Sequence, residues 1–290
     1  MTPAGEVVAR PGVLRTARRR SREWRLLLGG GGVAAFVVAA VVAPLVAPYS
    51  PDVIDLNHRL GGPSASHLLG TDDLGRDLLS RLLYGLRPSL ESGVAAIALA
   101  AVVGVLLGVP AGYFGSWFDS VVTRVNDLLI AWPAVFLALA IVLLFGSGEI
   151  EVIVAIGVAE VPVFTRLVRS VTVVVAASEH VVAARALGAS HLRIMRVHML
   201  GFLVAPVVVQ LAVAAPQALV AEASLNYLGL GTRPPNPSLG AMVSEGQNYL
   251  SYSAGEVVFP ILVIVALVVC LTLTADALRD RLDPRHGHMT

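Results

Sequence analysis

Long charge-free apolar runs alternate along the chain with short polar segments. Leu26–Ala47, Ser92–Phe118, Leu128–Gly148, Met199–Ala221 and Val257–Ala275 each have about the length a helix needs to cross a bilayer core of roughly 30 Å. A weaker run, Ile150–Val168, is apolar around Glu160 and Pro162 and is taken as the fourth of six predicted spans. An even number of spans puts both chain ends on one side. Between the first two spans, Leu78, Leu79, Leu82, Leu83 and Leu86 follow helical spacing after Gly75, which predicts a short amphipathic helix lying on the outer interface. The later segment "LGLGTRPPNPSLG" has no apolar period and reads as a rigid irregular loop.

One polar segment is too structured for a connector. In "EHVVAARALGASHLRIMRVHML" (Glu179–Leu200), Ser178 can cap a helix, Glu179 complements its dipole in the first turn, and Gly188 can end it in a left-handed cap. The result is about two and a half turns of helix joined by a glycine elbow to a second helix that starts at Ser190. Ala183, Ala184 and Ala186 keep the first helix narrow. Such a helix, exposing Val181, Leu187 and arginines such as Arg185, suits a groove on a soluble partner, where small side chains permit close approach.

Composition places the chain among membrane proteins: 56% of its 290 residues are apolar, 14% are charged, and the mean hydropathy is +0.77. All 21 basic residues are arginine, so no lysine serves a phosphate-binding loop, a Schiff base or a general base. A lone cysteine, Cys270, excludes an intrachain disulfide and a cysteine-rich metal site. "RRRSREWRLLL" resembles a secretory or twin-arginine signal, but the 22 apolar residues of Leu26–Ala47 exceed a signal core and mark an uncleaved first span. Of the 21 arginines, 16 fall in the two tails, the Tyr113–Arg124 connection and the Arg166–Arg196 region. The positive-inside bias therefore puts both termini and the Glu179–Gly188 helix in the cytoplasm. The expected organisation is a cytoplasmic tail (1–25), a transmembrane domain (26–276) with a coupling loop at about 170–200, and a second cytoplasmic tail (277–290).

Catalysis finds little support. Ser147 lies near a span end, but all seven histidines fall outside the spans, so an intramembrane serine nucleophile lacks its base. His286 and His288 belong to a C-terminal tail and are not read as a metal site. Glu160 is an acid within a span, as in proton-coupled secondary transporters, yet six spans without a visible internal repeat do not suit that class. Pairing with an arginine on a neighbouring span, a watery site beside Pro162, or lining a substrate path remain open for it. Gln210 and Gln217 are the other candidates for a translocation path.

Several motifs in order resemble a known family: "HLLGTDDLGRDLLSRLLYGLRPSL", "GYFGSWFDSVVTRVNDLLIAWP", "AARALGAS" followed by "HML", "EASLNYLGLGTRPPNPSLG" and "DALRDRLDPR". They resemble the permease subunits of ABC importers, in particular the second permease of the dipeptide/oligopeptide/nickel class. Three positions depart from the pattern: Val182 stands where the broad loop motif has Glu, Gly201 replaces a usual proline, and Glu160 replaces an uncharged residue. The resemblance implies an all-α integral membrane protein of type I importer fold, six transmembrane helices with a cytoplasmic coupling helix, in the inner (cytoplasmic) membrane. It implies a heterodimer with a paralogous permease, two cytoplasmic ATPases that carry the ATP and Mg, and an extracytoplasmic solute-binding protein. Glu179, Val181, Ala183, Ala184, Arg185, Leu187 and Gly188 would form the ATPase-coupling helix. The chain itself would hold no cofactor, catalyse nothing and contact no nucleic acid. Di- or oligopeptides are the expected cargo, with nickel chelates or another small solute as the alternative.

Overall fold

The computed structural model describes residues 11–282. The first ten residues and the last eight, which include His286, His288 and parts of both predicted tails, lie outside the described residues. The helices are α1 (Pro11–Val46), α2 (Leu78–Phe114), α3 (Ser116–Ile130), α4 (Ala134–Phe145), α5 (Glu149–Ala176) and α6 (Glu179–Ala186). They continue as α7 (His191–Arg193), which passes through a π-helical turn (Ile194–Met199) into α8 (Leu200–Tyr227), then α9 (Leu239–Gly246) and α10 (Gly255–Leu282). Single 3-10 turns occupy Leu56–His58 and Gln247–Tyr249.

Contacts between the helices order these elements into a bundle with two distinct ends. α1 and α10 run antiparallel, Gly29 lying beside Thr274 and Gly32 beside Cys270. At one end, the Tyr49 N–H donates to Ser80 Oγ at 3.1 Å, and the Gly148 N–H donates to the Leu230 carbonyl at 3.0 Å. At the other end, Tyr113 of α2 meets His191 beside α6. The chain therefore traverses the bundle six times, through α1, α2, the α3/α4 pair, α5, α8 and α10. The start of α1 and the end of α10 share the end that carries α6.

The core of the bundle is the packing of α2 on α5. Gly104, Gly108 and Gly112 recur every fourth residue, so they stand on one face of α2. A β-carbon at Gly108 would lie 2.8 Å from the Thr165 carbonyl oxygen, and one at Gly112 would lie 2.7 Å from the Arg169 carbonyl oxygen. Such spacing is possible only without side chains, and it lets the two backbones touch as in small-residue membrane interfaces. Ala96, Ala100, Ala155, Ile156 and Phe164 continue the buried seam, and Val142 of α4 and Ala214 and Ala218 of α8 close over it.

Three predicted elements need correction. The expected interfacial helix at Leu78–Leu86 is the first part of α2, a continuous 37-residue helix about 55 Å long. Its Leu78, Leu82 and Leu86 are buried against Ala40, Leu239 and Met242, so this face is core and does not lie on a membrane surface. Asp77 caps it, accepting from the Ser80 N–H at 2.8 Å. The single span expected at Leu128–Gly148 is broken: α3 and α4 meet at 94°. Pro133 has no N–H and disfavours helical backbone at Trp132, which stops α3 there.

By length and apolarity, Trp24–Val46, α2, His191–Tyr227 and α10 suit a membrane crossing, and the bent α3/α4 pair makes a fifth. α5 is the sixth traverse. Its 28 residues are long enough, but Glu149, Glu151, Glu160, Arg166 and Arg169 dilute its apolarity. Finally, the loop expected over "LGLGTRPPNPSLG" ends at Ser238, which caps the additional helix α9 by accepting from the Ala241 N–H at 3.3 Å.

Candidate functional site

The elbow after α5 is built as a short helix with a closed C-terminus. The Gly188 N–H donates to the Arg185 carbonyl and the Ala189 N–H to the Ala184 carbonyl, both at 3.0 Å, with Gly188 at φ +81°. This is the paired arrangement that satisfies the last helical carbonyls and requires a left-handed residue. Ser190 then starts the second arm, accepting from the Arg193 N–H at 3.4 Å. Ser178 differs from its expected role. Its backbone is extended at the N-cap, but its hydroxyl turns back and donates to the Val175 carbonyl at 2.5 Å.

The helix has one inner and one outer face. Val181, expected on the exposed face, is fully buried and packs among Val109, Val168, Val175, Ile194, Met199 and Leu203. The reason lies in residues supplied from beyond the elbow: Ile194 and Met199 fold back beneath α6 and offer it an apolar floor. Glu179, Val182, Ala183, Arg185, Leu187 and Gly188 are exposed, Leu187 at 89%, and Ala184 is half-buried. A β-carbon at Gly188 would meet nothing within 4 Å, so the tip faces open space. The Arg185 guanidinium lies 5.3 Å from the centre of the Tyr113 ring, and Tyr113 Oη shares a 2.8 Å hydrogen bond with His191 Nδ1. His180 stacks on Phe202 at 5.3 Å.

The three path candidates are divided between two helices, α5 and α8. Gln210 and Gln217 stand two turns apart on one face of α8, Gln210 half-buried and Gln217 exposed, whereas Glu160 is half-buried on α5. Among the described residues no hydrogen bond joins them, and Glu160 makes no ion pair. No arginine of a neighbouring span pairs with it among the described residues, and the two arginines of its own helix are engaged elsewhere, Arg166 with Asp127 at 2.6 Å and Arg169 with Asp119, tying α3 to α5.

Two polar clusters escape a reading of charge-free runs. At the end opposite α6, Asp72 accepts from Arg76 Nε at 2.6 Å and from Arg81 at 2.5 Å, and Glu245 of α9 accepts from the same two arginines at 3.2 and 2.9 Å. Both guanidinium groups are buried. Burial, with Asp72 beside it, holds the Asp73 carboxyl above its ordinary value, against the pull of Arg76. The second cluster is in α8, where the Asn226 side-chain amide donates to Glu222 Oε1 at 2.7 Å and its oxygen accepts the Thr232 N–H at 2.7 Å. The i, i+4 spacings of Asp72/Arg76 and Glu222/Asn226 were the available signals; Glu245 lies 164 positions from Arg81 and gave none.

Residues 104–288 match the family described as binding-protein-dependent transport system inner membrane component. The chain is 38% identical over 253 residues to the dipeptide transport system permease protein DppC of Alkalihalophilus pseudofirmus, covering 87% of this chain and 83% of that one. It is 36% identical over 269 residues to the glutathione transport system permease protein GsiD of Pectobacterium atrosepticum, covering 92% and 89%. The same protein of Shigella dysenteriae serotype 1 is 37% identical over the same coverage.

Proposed function

The chain belongs to the family of binding-protein-dependent transport system inner membrane components, and from that premise we propose that it is half of the translocation path of an ATP-driven importer of di- or oligopeptides. Its similarity to permeases named for dipeptide and glutathione transport supports a peptide cargo over a metal chelate. A paralogous permease completes the path as a heterodimer. Glu160, Gln210 and Gln217 are the polar groups this chain offers to that path. Two ATPases dock at the cytoplasmic end, and a solute-binding protein delivers cargo at the other. The arginine distribution supports placing the α6 end, with both termini, in the cytoplasm.

In this reading ATP and Mg are held by the partner ATPases. Closure of the ATPase pair pushes α6 and tilts the attached spans, exchanging an inward-open for an outward-open cavity. The observation that carries the assignment is the two-sided construction of α6, with Val181 plugged into the bundle and Leu187 projecting at 89% exposure from a glycine-closed tip. A helix anchored on one side and bare on the other suits an apolar groove on a soluble partner. The test is Leu187→Asp in the assembled transporter. The complex should insert and pair normally but lose ATPase subunits on purification and lose uptake; full recruitment would overturn the docking role.

A further inference from the structure

Tyr113 lies where three parts of the molecule meet. It is the next-to-last residue of α2, directly after Gly112, whose backbone touches α5 at Arg169 and Thr172. Its half-buried ring packs against the same apolar cluster that receives Val181. The face of the ring carries Arg185, three residues before the elbow glycine, with the guanidinium carbon 5.3 Å from the ring centre. Its hydroxyl, 2.8 Å from His191 Nδ1, engages the first residue of α7, three residues after that glycine. Phe114 also meets the imidazole edge-on, 5.7 Å between ring centres. One side chain thus grips both arms of the elbow and anchors them to the tightest seam of the bundle.

We infer that Tyr113 is the positioning residue that fixes the angle between the two arms of the elbow and ties it to the α2/α5 pair, so that displacement of α6 is delivered to those helices. The inference rests on α6 being the ATPase-docking helix. Val181 alone cannot supply this: an apolar plug resists withdrawal, but side chains in an apolar socket give little resistance to rotation about the helix axis. The cation–π contact and the hydrogen bond are directional, and they act on opposite sides of Gly188, the one position in the elbow without a side chain to limit its backbone.

The test uses the complete transporter reconstituted in liposomes and reads the ratio of ATP hydrolysis with loaded binding protein to hydrolysis without it. Tyr113→Leu removes both grips, and Tyr113→Phe removes only the hydroxyl and is gentle enough to assemble. With ATPase subunits co-purifying in normal amounts, the Leu variant should lose at least about five-fold in this ratio, the lower end of what coupling between sites produces. The Phe variant should fall between it and the parent. A purely structural role would lower abundance or melting temperature and leave the ratio of assembled complexes unchanged, and that result overturns the inference. Should the Leu variant fail to accumulate, a full ratio in the Phe variant overturns it equally. Leu187→Asp separates the two readings. Loss of ATPase subunits there, with unchanged ratios in both Tyr113 variants, removes the inference alone; ATPase retention there removes the docking role on which it stands.

Discussion

Gly108 of α2 and Thr165 of α5 are in backbone contact: a β-carbon at residue 108 would come within 2.8 Å of the Thr165 carbonyl oxygen and of Val168 Cβ. Neither neighbour is the free end of a flexible side chain, so a larger residue must separate the helices. Gly108→Val should destabilise the purified protein by about 1–3 kcal/mol, the usual range for overpacking. The check is thermal unfolding in detergent, with Gly93→Ala as control. Gly93 is buried in the same helix but has nothing within 4 Å of its would-be β-carbon, so alanine there should be neutral or slightly stabilising. Equal melting of the two variants would refute the close-contact seam.

Gly188→Val separates folding from coupling. At φ +81° a β-branched residue is strained, costing about 1 kcal/mol or more locally, although the space around it is open. The variant should insert, accumulate and pair with its partner permease, while uptake and ATPase recruitment drop. Gly201→Ala, also facing open space but in ordinary helical backbone, should behave as the parent protein does. Normal uptake by Gly188→Val would show that the elbow angle is not needed.

The cluster at the opposite end should be sensitive to loss of one acid. Asp72→Ala removes the carboxylate shared by Arg76 and Arg81 and leaves two buried guanidinium groups with Glu245 as their main partner. Removing one member of a buried ion pair costs about 3–5 kcal/mol. Abundance and melting temperature should both fall steeply. Asp276→Ala, at a carboxylate with no ion pair among the described residues, is the matched control.

Membrane sidedness is tested by site-specific labelling. Tags after Thr290 and near residue 190 should report the cytoplasm, and tags near Asn57 and Asn236 the exterior. Residue 190 on the outside would remove α6 from reach of any cytoplasmic ATPase.

Glu160→Gln should leave uptake ATP-dependent and independent of a proton gradient. Glu160 shares no hydrogen bond with Gln210 or Gln217 and has no ion-pair partner among the described residues, so it has no visible relay to pass a proton along. Collapse of wild-type uptake by an uncoupler at constant ATP would contradict this.

Apolar run length made most traverses readable, because crossing a membrane imposes a length that composition must satisfy. It failed where charge is neutralised by distant partners. Arg81 breaks the apolar run, yet sits inside α2 because Asp72 and Glu245 pair with it. It also hid the break in the third traverse, since a charge-free count does not register what Pro133 does to the backbone before it. Gly188 was legible because few residues adopt its conformation. Val181 was misplaced because the floor beneath it, Ile194 and Met199, arrives only after the chain has turned. Glu222 and Asn226 are illegible for a related reason: the Asn226 amide bonds Glu222 one turn away, but its oxygen takes the Thr232 N–H from the loop beyond α8, a partner that only the folded chain supplies.

The glycine seam constrains motion as well as stability. Backbones that interlock over three successive glycine positions cannot slide or roll past one another without first coming apart. α2 and α5 are therefore expected to move as one body along Gly104–Gly112, and a thrust applied beside Tyr113 would enter both helices there. The bundle behaves at that point as a lever, not a spring. The give required for any opening and closing falls to elements outside the interlock, above all the right-angled junction between α3 and α4.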